Sequence, residues 1–486
     1  MNVRRALLVL TLLAGTSSVA CRRGKQVVVA DKPDAAPYAT STATPSAAFA
    51  IIDDLCTSVG ARLAGSPGDA KAVAWATAKM HEFGLANVRT EPVTVPHWER
   101  GEASAKTVGA SPIALDLAAL GGSIGTPDAG LEAEVVMVPS LELLEKLDHK
   151  QLDGKIVFVN VHTRRARDGA GYGESVLARF NGPSLAAKRG AIGYLVRSTG
   201  TGEDEAPHTG AMKYADDAPK IPAAALGPKS ADRLHDALKL GAPVRVAWKM
   251  ITRALPDVQS SNVIGEVTGT AVPAEIVLIG AHLDSWDLGP GAQDDGAGVA
   301  IMLETMRRLR ASPPRRTVRV ALFANEENGV RGAKAYRDAH AAELGAHAAA
   351  LEADMGAGRV FGVDWIGAFE DDDRVAELAK PLSELAVEKP HHGDRVGTDI
   401  SFLRESGVPL FELKQDASTY FDFHHARTDT PAAIDRPALD QAVEAYVLFV
   451  SALANLPERL RPTPMVERGL NPGQPRPPAP SASASK

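Results

Sequence analysis

Short apolar runs alternate with stretches of helical spacing through the second half of the chain. Glu275–Gly280 (EIVLIG) is a compact, β-branched-rich run that reads as a buried, parallel strand. Val299, Leu303 and Met306 then recur at helical intervals and predict a helix over 296–310. The rhythm continues with a strand at 318–324, a helix near 332–342 and a strand at 348–353. A helix near 371–387, a helix at 399–406, a strand at 408–413 and a last helix from about 437 to 456 follow. Such alternation predicts an α/β fold, a mostly parallel sheet with helices on both faces. Near the start, Ile51, Ile52, Leu55 and Val59 mark one helix. Val73, Ala76, Met80 and Phe83 mark a second, stopped by Gly84, and 87–95 alternates like a strand.

Between about 105 and 252 the pattern changes. Strand-like runs at 133–139, 155–161 and 191–196 lie among Gly-rich turns, with one helix over 184–189. This predicts a β-rich module, 105–252, inserted into a catalytic domain made of 47–104 and 253–456. His162, His208 and His235 are scattered through it without partners at ligand spacing, and read as surface or satisfied histidines.

Composition narrows the function classes. A net charge of −7 over 486 residues, with no Lys/Arg run interleaved with aromatics, argues against a nucleic-acid partner. Two cysteines cannot build a disulfide framework, and Cys56 reads as a buried thiol. Arg4 and Arg5 precede the apolar run Ala6–Ala14, and Ser18-Val19-Ala20-Cys21 follows. This resembles a bacterial lipoprotein signal over 1–21, and implies export and a membrane anchor through acyl chains on Cys21. The apolar run is too short to span a bilayer. Ser18 stands where that signal usually carries Leu, so ordinary cleavage to a periplasmic or secreted protein is the alternative. Residues 22–46 have the composition of a flexible linker, and 457–486 that of a disordered Pro/Ser-rich tail.

The candidate chemistry sits where the expected strands end. His282 and Asp284 share one strand face, so the acid can fix the imidazole. Asp294 and Asp295 fall at the start of the next helix, where its dipole favours carboxylates. Glu326 and Glu327 follow the strand at 318–324; as neighbours they point apart, so one can hold a metal and the other a water. Asp354 follows the strand at 348–353, and His424 and His425 come later. Strand ends of an open α/β sheet are where ligands bind. Imidazoles and carboxylates without thiolates suit zinc in a hydrolytic site, and one carboxylate can bridge two ions.

The stretches SVGARLAGSP, EPVTVPHWERGE, APHTG, PKIPAAAL, GAHLDSWD, GAQDDGAG, EENGVRGA, GTDISFLRESGVP and FHHARTDT run in this order through 50–455. They resemble the co-catalytic dizinc exopeptidases that carry a protease-associated domain, and within these most resemble the carboxypeptidase Q group. The resemblance implies that His282 and Asp354 hold one zinc, that Glu327 and His425 hold the other, and that Asp294 bridges them. It implies Glu326 as general base and acid, and Asp284 as the partner of His282. It makes 105–252 the protease-associated domain. It further implies a small-peptide substrate, such as a dipeptide with free termini, and a homodimer. The rival functions are an aminopeptidase on longer peptides, an aminoacylase-like hydrolase, and a peptide-binding lipoprotein without turnover.

Overall fold

The computed structural model describes residues 45–465 and 468, apart from 368–370, 389 and 394. The expected signal peptide, all but the last two residues of the expected linker and most of the expected tail lie outside the described residues.

The described chain begins with α1 (Ala48–Ser58) and α2 (Pro67–Glu82). Ser66 caps α2 by accepting the Asp69 N–H at 3.2 Å, Pro67 occupies its first turn, and Gly84 turns the chain away at φ 65°. A long strand, β1 (Ala86–Thr107), leads into β2 (Ala114–Leu115), β3 (Leu117–Ala119) and β4 (Leu131–Val138). Then come α3 (Leu141–Lys146), α4 (His149–Leu152), β5 (Ile156–Val159), α5 (Ala170–Phe180), α6 (Gly182–Ala187) and β6 (Gly193–Arg197). β7 (Ala223–Leu226) and α7 (Pro228–Lys239) precede a second long strand, β8 (Arg245–Val267). The remainder runs β9 (Val272–His282), α8 (Ala297–Ala311), β10 (Arg316–Phe323), α9 (Arg331–Ala339) and β11 (His347–Glu352). It closes with β12 (Val360–Ile366), α10 (Asp372–Ala379), β13 (His391–His392), β14 (Leu410–Gln415) and α11 (Arg436–Asn455).

The strands join in the order β13-β12-β14-β11-β9-β10-β8-β4-β5-β6-β7-β3. β14, β11, β9 and β10 are parallel, with β12 and β8 antiparallel on either side. Every residue of β10 and β11 is buried, as strands covered on both faces must be, Arg316, Arg319, His347 and Glu352 included. α1, α8 and α11 pack one face through Leu55, Ile301, Leu303, Tyr446 and Phe449. The other face is covered by Tyr336, Leu344, Ile400 and Leu403. The expected α/β fold, with helices on both faces of a mostly parallel sheet, is therefore the observed one. His282 lies opposite Phe323 and Glu352 opposite Gly280, so β9, β10 and β11 end at one edge of the sheet.

Several details differ from the sequence expectation. β12 was not anticipated, because Gly362 and Asp364 interrupt its apolar run. The helix expected near 371–387 ends at Ala379 and continues as a 3-10 turn, Lys380–Leu385, because Pro381 cannot continue an α-helix. The helix expected over 399–406 is a 3-10 stretch, Ile400–Ser406. The strand expected at 87–95 runs on to Thr107 and pairs along nearly its whole length with β8. The proposed breaks at 104/105 and 252/253 thus fall inside continuous strands. Register shifts beside Pro96 hide the continuity from a reading of alternation.

β8 pairs with β10 at one end and with β4 at the other. The β1–β8 ribbon therefore carries the main sheet into a lobe built on β4, β5, β6, β7 and β3. That lobe has cores on both faces, one around Trp248 and Phe158 and one around Tyr194 and Leu152. Expected to be β-rich, it also carries the five helices α3–α7.

The tail differs as well. Leu460 and Thr463 are buried, and Thr463 donates its N–H to Gly407 O at 2.7 Å and its hydroxyl to Val408 O at 2.9 Å. The first residues after 457 thus pack on the body where a disordered tail was expected. Cys56 is the buried thiol expected, with burial pushing its pKa up to about 12.

Candidate active site

The site grows from the common edge of β9, β10 and β11. His282 is the last residue of β9 and is only 1% exposed. The chain then turns through 283–291 before reaching the two aspartates. Arg62, fully buried beside α1, holds that turn. It donates Nε to Leu283 O at 2.6 Å, Nη2 to Gly291 O at 3.0 Å, and Nη1 to Pro290 O. At Gly291 φ is 61° and a Cβ would stand 2.4 Å from Asp294 O, so only glycine fits. Asp429 completes the cradle by accepting the backbone N–H of Gln293 at 2.7 Å and of Asp294 at 3.1 Å.

Asp294 stands between two histidines. Its Oδ1 is 3.1 Å from His282 Nε2, and its Oδ2 is 3.1 Å from His425 Nε2. His282 Nε2 also faces Asp354 Oδ1 at 3.3 Å, and His425 Nε2 faces Glu327 Oε2 at 3.0 Å. Two trios, His282–Asp354–Asp294 and His425–Glu327–Asp294, thus share one aspartate. The neighbouring residues are placed differently. Asp295 accepts the N–H of His282 at 3.1 Å and of Gly298 at 2.9 Å. His424 stacks on His425 with ring centroids 3.5 Å apart, its Nε2 3.5 Å from Asp294 Oδ2.

Asp284 meets His282 through both its carboxylate and its backbone carbonyl. The Asp284 carboxylate lies 3.7 Å from His282 Nδ1, beyond hydrogen bonding, while the Asp284 backbone carbonyl is at 3.1 Å. The Asp284 carboxylate also accepts the backbone N–H of Glu326 at 3.0 Å. The strand register explains this: β9 and β10 end side by side, so the residue two past His282 reaches the loop after β10.

So many buried carboxylates shift one another. Burial opposes charge on His425, yet the Glu327 and Asp294 carboxylates raise its pKa to about 9. Burial likewise opposes charge on His282, and the Asp354 carboxylate holds it well above the usual imidazole range. Burial works against Asp294 too, but hydrogen bonds from His282 and His425 hold it well below the usual carboxylate range. Glu326 is pushed well above that range by burial and, against the pull of His282, by the Asp354 and Glu327 carboxylates.

The donor set suits a small, doubly charged cation. Glu327 Oε1 and Asp284 Oδ2 are buried without a hydrogen-bond partner, which is costly for carboxylate oxygens unless a cation meets them. His282, Asp294 and Glu327 present one ligand atom each within 4.8 Å of one another, as do His282, Asp295 and Asp354, and Asp294, His424 and His425. The free space between Trp286, Asp294, Glu327, His425 and Asp429 is about 10 Å³, the room of one ion or water.

Comparison with known proteins bears on this arrangement. The sequence profile of Peptidase family M28 matches residues 262–450, which span every side chain of the two trios. Carboxypeptidase Q of Mus musculus is 35% identical over 408 residues, covering 84% of this chain and 85% of that protein. The chain belongs to peptidase family M28. As a member of that family it is a metallopeptidase. The crystal structure of an M28 peptidase precursor from Shewanella amazonensis is 42% identical and superposes with a TM-score of 0.84, covering 86% of this chain and 95% of that one. A zinc aminopeptidase from Bacillus subtilis, 21% identical with a TM-score of 0.60 over 86% of this chain and 97% of that one, shares the fold.

Within this M28 site, four supporting residues escaped the sequence reading. Arg62 and Asp429 hold the loop that carries Asp294, and Thr209 and Arg179 of the lobe reach His425. Arg62, Asp429 and Thr209 stand inside the motifs SVGARLAGSP, FHHARTDT and APHTG. Their partners lie 135 to 229 residues away in the chain, and spacing within a motif reveals nothing at that range.

Proposed function

We propose that this M28 peptidase is an exported, zinc-dependent exopeptidase that hydrolyses small peptides, dipeptides with free termini in particular. Two zinc ions per chain are assigned, one to His282 and Asp354 and one to Glu327 and His425, with Asp294 shared. The observation that carries this reading is Asp294, which offers one oxygen to each histidine at 3.1 Å. When bound, the ion pair supplies Lewis-acid polarisation of the scissile carbonyl and acidifies water.

The chain's own residues do the rest. Glu326 takes a proton from the attacking water and returns it to the leaving amine, so the C–N bond breaks without releasing a free amide anion. Burial and the Asp354 and Glu327 carboxylates raise its affinity for a proton, the direction a base needs. Asp284 fixes the backbone at Glu326, and its carbonyl accepts a hydrogen bond from Nδ1–H of His282 so that Nε2 presents a lone pair. Arg62 and Asp429 hold the Asp294 loop. The Cys21 lipid anchor, on the outer membrane facing the periplasm, and a homodimer complete the reading. The N-terminal residue pattern supports the anchor, and the family resemblance supports the dimer.

The test is hydrolysis of a free dipeptide against a chromogenic amino-acid amide, with the zinc content of the same preparation measured. The expected result is two zinc ions per chain and turnover of the dipeptide. Turnover of the amide alone would make the enzyme an aminopeptidase. Failure to bind zinc would remove the reading.

A further inference from the structure

His425 is held from outside the main sheet. It has φ 61°, a left-handed conformation that costs a non-glycine residue roughly 1 kcal/mol and persists only where its surroundings impose it. Those surroundings come from the lobe. Thr209 N–H donates to His425 O at 3.0 Å, and His425 Nδ1 lies 3.2 Å from Thr209 O. His208, fully buried, sets its Nδ1 2.7 Å from His424 O. Residues 424 and 425 are thus gripped from both sides by residues 208 and 209.

The grip is itself braced. His208 N–H donates to Ser198 Oγ at 2.8 Å, and the Thr209 hydroxyl donates to Ala119 O at 2.8 Å. Arg179 of α5, 5% exposed, donates Nε to Ala211 O at 3.2 Å and Nη1 to Thr209 O at 3.3 Å. Among the described residues no carboxylate lies within 4 Å of its guanidinium. Its Nη1 also lies 3.4 Å from Thr199 Oγ1 and 3.4 Å from His425 Nδ1, but its two shortest bonds go to carbonyls of one turn, so this buried arginine acts as a clamp on that turn. Gly210 permits the approach, since a Cβ there would stand 2.2 Å from Arg179 Nη1.

We infer that the Thr209 carbonyl, clamped by Arg179 and steadied by His208, accepts a hydrogen bond from Nδ1–H of His425 and aims Nε2 into the metal site, so that the lobe supplies part of the metal centre. With Nδ1 protonated towards Thr209 O, the Nε2 lone pair faces Glu327 and Asp294. Arg179 and His208 are then positioning residues acting through Thr209 and the backbone of His424. This rests on His425 being a ligand, as proposed above.

The test is stepwise zinc binding to the full-length, metal-stripped protein by competition with a chromophoric chelator, with the thermal unfolding of the metal-free protein recorded alongside. His425→Ala first identifies which binding step belongs to His425. Arg179→Met should then weaken that step about 10- to 100-fold and leave the other unchanged, as loss of a ligand's orienting partner does. Arg179→Lys, which keeps one donor, should recover part of the loss. His208→Leu should weaken the same step, and His208→Asn, whose amide N–H replaces Nδ1–H, should restore it. If Arg179→Met does not fold, the His208 pair decides. Wild-type affinity at both steps in a folded Arg179→Met or His208→Leu protein overturns the inference and leaves the proposed function standing. No change on His425→Ala overturns the ligand assignment itself.

Discussion

The Asp284 carboxylate accepts the backbone N–H of Glu326 at 3.0 Å, tying the end of β9 to the loop after β10. The residue proposed to move the proton is therefore fixed by a neighbour of the residue proposed to hold the metal. Asp284→Ala should lower kcat on a dipeptide about 10- to 100-fold, the usual effect of losing such a partner. Asp284→Asn keeps an oxygen acceptor and should recover most of that loss. Equal defects in both variants, measured at saturating substrate, would show that the bond to Glu326 is not what matters.

Glu326→Gln removes the proposed base and keeps the side chain's shape. It should retain wild-type zinc content and lose about 10²- to 10⁴-fold in kcat. Near-wild-type turnover would assign proton transfer elsewhere.

Asp294 and Asp295 should separate in experiment. Asp294 faces both histidines, whereas Asp295 accepts two backbone N–H groups at 3.1 and 2.9 Å. Asp294→Ala should lose zinc as measured by elemental analysis. Asp295→Ala should lower the melting temperature of the metal-free protein by leaving those two donors unpaired, at about 1–3 kcal/mol each. Full zinc retention by Asp294→Ala would defeat the assignment.

His347 should make stability depend on pH. It is fully buried, with Nδ1 3.2 Å from Glu343 O and Nε2 2.9 Å from the Tyr336 hydroxyl. Burial, and the nearby Arg319 against the pull of Glu343, lower its pKa to about 4. Its unfolded value is about 6.5, so between these pH values the unfolded chain binds the extra proton. The stability it contributes is complete above about pH 6.5 and falls as pH drops towards 4, by about 3 kcal/mol in all. Urea unfolding of wild type and His347→Gln at pH 7 and pH 5 should show the larger pH effect in wild type. Parallel pH dependences would refute it.

The alternation of apolar strands and helices made the main sheet legible, because strands buried on both faces are written as unbroken runs such as EIVLIG. The same runs showed where strands end, and hence where His282, Glu326, Glu327 and Asp354 emerge. The fold brings these four, with Asp294 and His425, to a single sheet edge; their roles rest on the proposal above. What spacing could not reveal was anything carried across the chain. Asp284 looked like the partner of His282 because they are two apart, and its carboxylate also serves a backbone 42 residues on. His208 looked like a surface or satisfied histidine, yet it is buried, with Nδ1 on the carbonyl of His424, 216 residues away, and Nε2 without a hydrogen-bond partner among the described residues. β12 and the full length of β1 and β8 were hidden by polar residues and prolines within them.

The β1–β8 ribbon has a consequence for anyone wishing to rebuild this enzyme. Its strands have 22 and 23 residues; β8 pairs with β10 at one end and with β4 at the other, and β1 lies along it for nearly its whole length. The lobe is therefore woven in rather than plugged in, and offers no joint at which to exchange it like a cassette. Cutting at 104 and 253 would sever both strands in mid-pairing and expose raw edges that invite aggregation. Variation in this lobe is better sought in its outer loops, with the shared strands left whole.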